Sequence, residues 1–255
     1  MAEVHSFLLI GQSNMAGRGY IHEVEPIVNK RIRVLKNGRW GDMFPPINFD
    51  RSWAGINLAE SFAGAYAADH EGVEVGLIPC ADGGTSLDQW QVGGLLYDHA
   101  VSQAKLAQRT SVIHGILWHQ GETDCPEHLY PLYLEKCRKI LTTMREELGI
   151  PEVPLLLGGL GSFLQDCNTY LKSALKNYHF INTQLVQLAD ELDAAAFVTA
   201  EGLTANPDNL HFNARSLREF GLRYYQEYRK LEPQYQKICP HAPVYQEIRG
   251  ELESL

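Results

Sequence analysis

The sequence lacks the features that mark most membrane, exported and nucleic-acid-binding proteins. The first apolar run, Phe7 to Ile10, is far shorter than the core of a signal peptide, and neither Lys nor Arg precedes it. No run approaches the roughly 18 apolar residues that cross a bilayer. The 22 Lys and Arg residues are scattered along a chain of net charge -9, so no basic face is offered to nucleic acid. We therefore expect a cytoplasmic protein that binds neither membranes nor nucleic acid.

Cysteine is scarce, and the common metal-binding spacings are missing. The five cysteines include no CxxC pair, and their odd number leaves at least one thiol unpaired. Buried free thiols in a reducing compartment fit this usage better than two disulfides, which remain the alternative. No HExxH segment occurs, and the odd spacing of His114 and His119 puts them on opposite faces of a strand. We expect no metal and no cofactor.

Nucleotide-binding fingerprints are absent as well. Residues 11–19 are glycine-rich and follow an apolar run, but they lack the GK[ST] ending of a P-loop and the GxGxxG of a dinucleotide fold. A nucleotide- or phosphate-binding module is therefore the less favoured alternative. Stabilisation of the protein by nucleotides in a thermal unfolding experiment would support it.

Short apolar runs alternate with longer amphipathic ones along the 255 residues, of which 45% are hydrophobic. This pattern predicts repeated β–α units around one core. The predicted strands are residues 6–11, 73–79, 112–118, 154–160 and 195–200. The predicted helices are about residues 57–68, 98–108, 129–148, 177–192 and 214–231. We predict an α/β protein, a three-layer α/β/α sandwich with a central parallel sheet.

Two regions fit this scheme less simply. Residues 31–40 contain the turn signal Asn37-Gly38, which predicts an extra strand or a hairpin before the first full crossover helix. The chain after Pro233 contains two further prolines, Pro240 and Pro243, and ends in an acidic segment. We predict one domain over residues 1–232 and a tail over residues 233–255 that packs on it or mediates association. A homo-oligomer is left open.

The first predicted strand runs directly into Gly11-Gln12-Ser13-Asn14, which puts a serine on the turn at the strand end. Open parallel sheets bind ligands at this edge, where the loops converge. Gly11 lets the chain bend sharply, and a helix that begins just after it would place free backbone N–H groups beside the Ser13 hydroxyl. Ser13 is thus a candidate nucleophile, and a helix N-cap is the alternative interpretation.

A histidine with a carboxylate nearby lies far along the chain, in Pro207-Asp208-Asn209-Leu210-His211, just before the last predicted helix. Asp208 and His211 are three residues apart and can face the same way, so the carboxylate can accept from the imidazole Nδ1 and fix its tautomer. His211 is a candidate general base. A solvated or capping histidine is the alternative, although Asn213 is the better cap for a helix that begins at Ala214.

Two further strand ends carry groups suited to binding an oxyanion or a substrate. Paired glycines in Asp82-Gly83-Gly84-Thr85-Ser86 allow backbone N–H groups to approach a ligand closely, although a tight turn without function also explains them. The segment 118–124 is densely polar after an apolar strand. Gln120 can donate its amide to an oxyanion, and Glu122 and Asp124 can anchor the loop or bind substrate hydroxyls. Mutual bonding inside a structural loop is the alternative.

The four segments 11–14, 83–86, 119–124 and 208–211, in this order, resemble the SGNH hydrolase superfamily. Within it they look like the acetylesterase group of carbohydrate esterase family six and the sialate O-acetylesterase-related domains. The resemblance spans roughly residues 6–228, and it implies a flavodoxin-like α/β/α architecture. It also implies that Ser13 is the nucleophile, His211 the base and Asp208 the carboxylate that orients it.

The same resemblance implies the oxyanion hole. Its donors would be the Ser13 backbone N–H, a backbone N–H of Gly83 or Gly84, and the Gln120 side chain. The wider superfamily takes its third donor from a Gly-x-Asn-Asp block, which is absent from this chain. Gln120 would stand in its place.

The implied reaction is hydrolysis of O-acetyl esters of carbohydrates, with an acetylated sugar as the partner molecule. We expect three polar residues of the motifs to bind substrate: Gln12, Asn14 and Glu122. Acetylxylan fragments, acetylated sialic acids and acetylated cell-wall sugars all remain open. Trp53, Trp90 and Trp118 are candidates to stack on a sugar ring, with core packing as the alternative. A carbohydrate-binding protein of the same fold without catalysis is the second interpretation.

Overall fold

The computed structural model describes residues 3–167 and 172–238, in which seven strands form one sheet. The strands are β1 (Val4–Gly11), β2 (Ile32–Lys36), β3 (Arg39–Asp42), β4 (Glu74–Pro79), β5 (Val112–His119), β6 (Leu155–Gly158) and β7 (Ala195–Val198). Their order across the sheet is β3-β2-β4-β1-β5-β6-β7. All neighbouring strands are parallel except β2 and β3, which form an antiparallel hairpin at one edge of the sheet.

The central strand β1 shows why the apolar runs become strands. Phe7 and Leu9 pack into one hydrophobic cluster, whereas Leu8 and Ile10 pack into another on the opposite face of the sheet. A parallel strand that is buried on both faces has a continuous apolar sequence. The five predicted strands are all present, with ends that differ by one or two residues, and the predicted hairpin is β2–β3.

Helices cover both faces of the sheet, as predicted for a three-layer sandwich. On one face lie α2 (Leu58–Asp69) and α7 (Ala214–Ile238), and on the other α3 (Leu95–Ala107), α4 (Tyr133–Glu147) and α6 (Tyr178–Glu191). Two short helices are α1 (Ser13–Ala16) and α5 (Lys172–Leu175). Short 3-10 segments are Ile21–Glu23, Glu122–Asp124, Tyr130–Leu132 and Ser162–Asp166. None of the helices in residues 3–167 and 172–238 combines the length and apolarity that a bilayer span requires.

Capping residues fix where two of the long helices begin. Asn57 Oδ1 accepts from the Ala59 N–H at 2.7 Å, and the Glu60 carboxylate accepts from the Asn57 N–H at 2.9 Å, so α2 begins with a capping box. Asn213 Oδ1 accepts from the Ser216 N–H at 2.9 Å. Asn213 therefore caps α7, as the sequence predicted.

Two helices differ from their predicted bounds near a proline. Helix α4 begins at Tyr133 rather than at residue 129, because Pro131 lies in a 3-10 turn just before it. Helix α7 passes through Pro233 and reaches Ile238, beyond its predicted end. Proline has no N–H, so Pro233 cannot donate to the Arg229 carbonyl one turn before it. Because Pro233 and Arg229 are both exposed, water can bond to that carbonyl instead. The rest of the predicted tail, residues 239–255, lies outside the described residues.

The four cysteines in the described residues, Cys80, Cys125, Cys137 and Cys167, are free and buried. This agrees with the predicted thiols, and Cys239 lies outside the described part of the chain. Burial raises the pKa of the Cys80 thiol to about 12. These side chains therefore behave as small neutral core residues.

Candidate active site

The turn after β1 places Ser13 at the carboxyl edge of the sheet, next to the end of β5. Gly11 has a φ of 133°, and a Cβ at this position would lie 2.0 Å from the His119 carbonyl oxygen. Only glycine allows this approach. The next residue, Gln12, donates its N–H to the same carbonyl at 2.9 Å, and Ser13 opens α1. The strand end therefore turns directly into the candidate nucleophile.

Ser13, His211 and Asp208 lie in hydrogen-bond sequence, although 198 residues separate the serine from the histidine. His211 Nε2 is 3.0 Å from Ser13 Oγ, and His211 Nδ1 is 2.7 Å from Asp208 Oδ2. A carboxylate that accepts from Nδ1 leaves the Nε2 lone pair directed at the hydroxyl. This geometry lets the imidazole take a proton from Ser13.

The loop that carries Asp208 is shaped by the aspartate itself. Asp208 Oδ1 accepts from the backbone N–H groups of Leu210 and His211, at 2.9 and 3.0 Å. Asn209 between them has a φ of 50°, a left-handed conformation that asparagine tolerates. Burial raises the pKa of Asp208, but the bonds from the His211 ring and backbone outweigh burial and lower that pKa to about 2. Asp208 is therefore ionised throughout the neutral range.

Asn14 ties the loop of His211 to the turn of Ser13. Its Oδ1 accepts from the Phe212 N–H at 3.0 Å, and its Nδ2 donates to the Leu210 carbonyl at 3.2 Å and to Glu122 Oε1 at 2.5 Å. Because a carboxylate only accepts, Glu122 fixes which end of the Asn14 amide is the donor. Asn14, the residue after the candidate nucleophile, thus holds the peptide groups on both sides of His211.

Glu122 is buried, and it lies close to a buried histidine. His119 Nε2 is 3.5 Å from Glu122 Oε1. Burial raises the pKa of Glu122, but the bonds and charge of His119 together with Asn14 hold the pKa below its ordinary value. Asn14 and Glu122 are almost fully buried, and both amide atoms of Asn14 and the Oε1 of Glu122 are bonded within the protein, whereas Glu122 Oε2 has no hydrogen-bond partner among the described residues. Direct binding of substrate by these two residues stays a prediction.

Gln12, the third predicted substrate-binding residue, also bonds within the protein. Its Oε1 accepts from the backbone N–H groups of Gly121 and Thr123, at 3.3 and 3.4 Å. These bonds hold the 3-10 segment after β5 against the turn after β1. Gln12 is buried, so the structure gives it a loop-bracing contact, and its contact with substrate stays a prediction.

The predicted oxyanion donors differ in whether their N–H groups already donate a hydrogen bond within the protein. Among the described residues, the backbone N–H groups of Ser13 and Gly84 donate no hydrogen bond to a protein acceptor. The Gly83 N–H donates to Asp50 Oδ2 at 2.9 Å. Gly84 has a φ of 79°, which glycine adopts without strain. The turn is next to the nucleophile, since a Cβ built on Gly83 would lie 3.4 Å from Ser13 Cβ.

The Gln120 amide is engaged inside the protein. Its Nε2 donates to the Thr85 carbonyl at 3.1 Å and to Asp124 Oδ2 at 2.5 Å. Burial raises the pKa of Asp124 to about 6. The side chain of Gln120 is completely buried, so donating to an oxyanion would require one of its present bonds to be exchanged. Its role as third donor stays a prediction.

Arg18 and Asp50 lie beside the site and were not among the residues predicted from the sequence. Their side chains form a buried ion pair with Arg18 Nη2 2.5 Å from Asp50 Oδ2. Asp50 lies on the loop between β3 and α2, which has no periodic pattern and no chemical motif. A lone arginine and a lone aspartate 32 residues apart give no sequence signal that they meet.

Of the three candidate stacking tryptophans, only Trp53 is exposed. Trp90 and Trp118 are fully buried and pack edge to face, with ring centroids 5.8 Å apart, so both belong to the core. Trp53 is 69% exposed on a turn in which the Ala54 N–H donates to the Arg51 carbonyl. This turn is held beside the site, because Arg51 Nη2 donates to the Gly83 carbonyl at 2.8 Å.

Comparison with known proteins identifies the family. Residues 3–230 match the model of the carbohydrate esterase, sialic acid-specific acetylesterase family, and the chain therefore belongs to that family. This confirms the resemblance to the acetylesterase group of the SGNH hydrolases. In the described residues, no group of three or more His, Cys, Asp or Glu is arranged to hold a metal ion.

Similar proteins agree with this assignment. A probable carbohydrate esterase of Arabidopsis thaliana, At4g34215, is 27% identical over 244 residues, which cover 87% of this chain and 89% of that protein. The crystal structure of the Arabidopsis protein has a TM-score of 0.79 at 26% identity and covers 90% of this chain and 99% of that one. The structure of NanS has a TM-score of 0.68 at 15% identity, with 91% and 98% covered. The last of these similarities shows the fold alone.

Proposed function

We propose that this carbohydrate esterase is a serine esterase that removes O-acetyl groups from sugars through Ser13, His211 and Asp208. The observation that carries the proposal is the unbroken hydrogen-bond sequence from Ser13 Oγ to His211 Nε2 and from His211 Nδ1 to Asp208 Oδ2. Nucleophile, base and orienting carboxylate are the roles this geometry serves in acyl transfer.

The first half of the reaction transfers the acetyl group to the enzyme. His211 Nε2 takes the Ser13 proton while Oγ attacks the acetyl carbonyl carbon, and the carbonyl electrons move onto oxygen. When the tetrahedral intermediate collapses, the bond to the sugar oxygen breaks and that oxygen takes the proton from His211. The products of this half are the free sugar alcohol and acetyl-Ser13.

The second half releases acetate. His211 takes a proton from water, the resulting hydroxide equivalent attacks the acetyl carbon, and Ser13 Oγ leaves with the proton that His211 returns. Asp208 stays ionised through both halves and stabilises the imidazolium that forms in each. Its lowered pKa is consistent with this role.

The negative charge that develops on the carbonyl oxygen needs donors that are free before the substrate arrives. The backbone N–H groups of Ser13 and Gly84 meet that condition among the described residues. One such donor contributes about 10²–10³ in kcat. Gln120 would be the third donor after giving up its bond to Thr85 or Asp124.

The family and the surface around Ser13 support an acetylated sugar as the substrate class. The matching family is described as sialic acid-specific, and XAC1771 of Xanthomonas citri, 18% identical with a TM-score of 0.64, is a carbohydrate acetylesterase. This chain covers 58% of the XAC1771 chain. In the protein itself, the exposed Trp53 indole beside the Gly83–Gly84 turn is suited to a pyranose face. We therefore expect an O-acetylated sugar to bind with its ring near Trp53.

Replacement of the nucleophile tests the proposal. Ser13→Ala should abolish turnover of 4-nitrophenyl acetate and acetate release from acetylated mono- and oligosaccharides, including acetylated sialic acids and xylose oligomers. Wild-type protein should be labelled covalently by a fluorophosphonate and the variant should not. Activity retained in Ser13→Ala would remove Ser13 from the mechanism. Sugar binding without labelling or turnover would instead indicate a carbohydrate-binding protein.

A further inference from the structure

A buried ion pair lies behind the glycine turn that carries the oxyanion donor. Arg18 Nη2 and Nη1 are 2.5 and 3.3 Å from the two carboxylate oxygens of Asp50. The side chains of Arg18 and Asp50 are only 5% and 2% exposed. Removing two charges from water costs free energy unless the geometry and further hydrogen bonds compensate for it. The proposed reaction steps do not use this pair.

Asp50 contacts the glycine turn directly. Its Oδ2 accepts from the Gly83 N–H at 2.9 Å, and its Oδ1 accepts from Asn48 Nδ2 at 3.0 Å. A Cβ on Gly83 would lie 2.5 Å from Arg18 Nη2 and 3.4 Å from Ser13 Cβ. The turn is therefore held between the ion pair on one side and the nucleophile on the other, with no room for a side chain.

Arg18 extends the same network to the two other loops of the site. Its Nη1 donates to the Gly17 carbonyl at 2.9 Å, one turn after Ser13. Its own carbonyl accepts from Asn206 Nδ2 at 2.9 Å, and the Asn206 N–H donates to the His211 carbonyl at 2.7 Å. The ion pair is thus bonded to the loops that carry the nucleophile, the oxyanion donor and the base.

We infer that Asp50, paired with Arg18, is a positioning residue for this esterase: it holds the Gly83 N–H so that the next N–H, of Gly84, faces the acetyl oxygen. This inference rests on the proposed function. Gly83 is then an anchor of the turn and Gly84 the donor. The division follows from the bonds, because the Gly83 N–H already has an acceptor and that of Gly84 has none among the described residues.

An ionised carboxylate is the group this role needs. Asp50 accepts from Arg18, Asn48 and Gly83 together, and only the ionised form presents all of its lone pairs to three donor groups. Burial raises the pKa of Asp50, but the bonds and charge of Arg18 outweigh burial and hold the pKa below its ordinary value. Charge-assisted bonds of this kind are shorter and stronger than neutral ones.

Asp50→Asn tests the inference, because the amide keeps the shape of the carboxylate and loses its charge. We expect kcat for 4-nitrophenyl acetate to fall about 10–100-fold, the cost of a small misplacement of a donor, with little change in KM. Arg18→Lys keeps the charge without the two-pronged geometry and should give a smaller loss in kcat. If Asp50→Asn does not fold, Arg18→Lys decides alone, and an unchanged kcat in that variant overturns the inference.

Glu60→Gln is the matched control. Glu60 is a buried carboxylate paired with Arg218, at 2.7 Å, and it contacts none of the three candidate triad residues. Its replacement should lower Tm and leave kcat unchanged. A kcat loss in Asp50→Asn no larger than in Glu60→Gln, or an effect confined to KM, would overturn the positioning role. Retained activity in Ser13→Ala would refute the proposed function itself, whereas normal kcat in Asp50→Asn beside an inactive Ser13→Ala refutes only this inference.

Discussion

The strand ends form two edges of the sheet, the carboxyl edge and the amino edge, and each carries a histidine paired with a carboxylate. Only the histidine at the carboxyl edge is arranged as a base. At the carboxyl edge, His211 bonds to Asp208 at 2.7 Å through Nδ1 and faces the Ser13 hydroxyl through Nε2. At the amino edge, His70 bonds to Glu232 at 2.8 Å through Nε2 and to the Tyr66 carbonyl at 2.9 Å through Nδ1.

His70 and His211 differ in the group that lies within hydrogen-bond distance of the ring nitrogen not bonded to the carboxylate. Both nitrogens of His70 face oxygens that only accept, so the protonated ring is favoured, and the Glu232 bond raises the pKa of His70. His211 has an acceptor on one side and a hydroxyl that can give up a proton on the other. A histidine and a carboxylate within 3 Å therefore either form an ion pair or leave one ring nitrogen free to accept a proton, and the group bonded to the second nitrogen decides which.

The largest expected effect that tests this comparison comes from Asp208→Asn. The amide can no longer hold the His211 tautomer that accepts from Ser13, so kcat should fall by about 10⁴, the effect of this change in a serine protease triad. The equivalent change at the other edge, Glu232→Gln, should leave kcat unchanged. Steady-state kinetics with 4-nitrophenyl acetate measures both. Similar losses of kcat in the two variants would contradict the distinction between the two histidine–carboxylate pairs.

The effect of intermediate size is on the free energy of unfolding, and it concerns the His70–Glu232 pair at the amino edge. Because the folded-state pKa of His70 is raised, the protonated pair stabilises the fold below the unfolded histidine pKa, and this contribution is lost as pH rises through the folded pKa. Glu232→Gln should therefore lower the free energy of unfolding by about 1 kcal/mol in mild acid and by less in alkali.

Urea denaturation of wild type and Glu232→Gln at pH values on either side of the histidine range measures this difference. His5, whose ring centroid is 6.4 Å from that of His70, titrates nearby, and its pKa is lowered by burial. The double change with His5→Gln separates the two histidines. A stability difference that grows with rising pH would contradict the expected direction.

The smallest effect concerns exposed apolar side chains at the two edges. Trp53→Ala should raise KM for an acetylated sugar about 10-fold, the equivalent of roughly 1.4 kcal/mol of lost stacking, with little change in kcat. Vinyl acetate, whose leaving group has no ring, should be hydrolysed normally. Val28, 85% exposed on the loop before β2, supplies the control Val28→Ala, which should change neither substrate. A KM unchanged for every acetylated sugar would exclude Trp53 from binding.

The sequence predicted much of this molecule because its signals are local. The alternation of apolar and amphipathic runs indicated the sheet and its helices, and Asn213 could be identified as a cap from its place before α7. Helix ends at prolines were less predictable, since a proline ends a helix only where the lost bond cannot be replaced. Ser13, Asp208 and His211 could be named because each follows a strand or precedes a helix in a recognisable segment.

Other features were decided by tertiary structure alone. The sequence named three tryptophans as equal candidates, yet burial left only Trp53 of the three at the surface. The hydrogen bond between Asn14 and Glu122 could not be predicted either, because 108 residues separate them along the chain. The sequence contained no sign that Arg18 meets Asp50.

By itself, then, the sequence determined the strands, the helices and the chemical groups at the strand ends, because periodicity and turn chemistry act over a few neighbouring residues. Which groups face one another was decided by the order β2-β4-β1-β5-β6 of the parallel strands, which brings loops nearly 200 residues apart to one edge. Hydrogen bonds and ion pairs form over about 3 Å in space, whatever the separation along the chain.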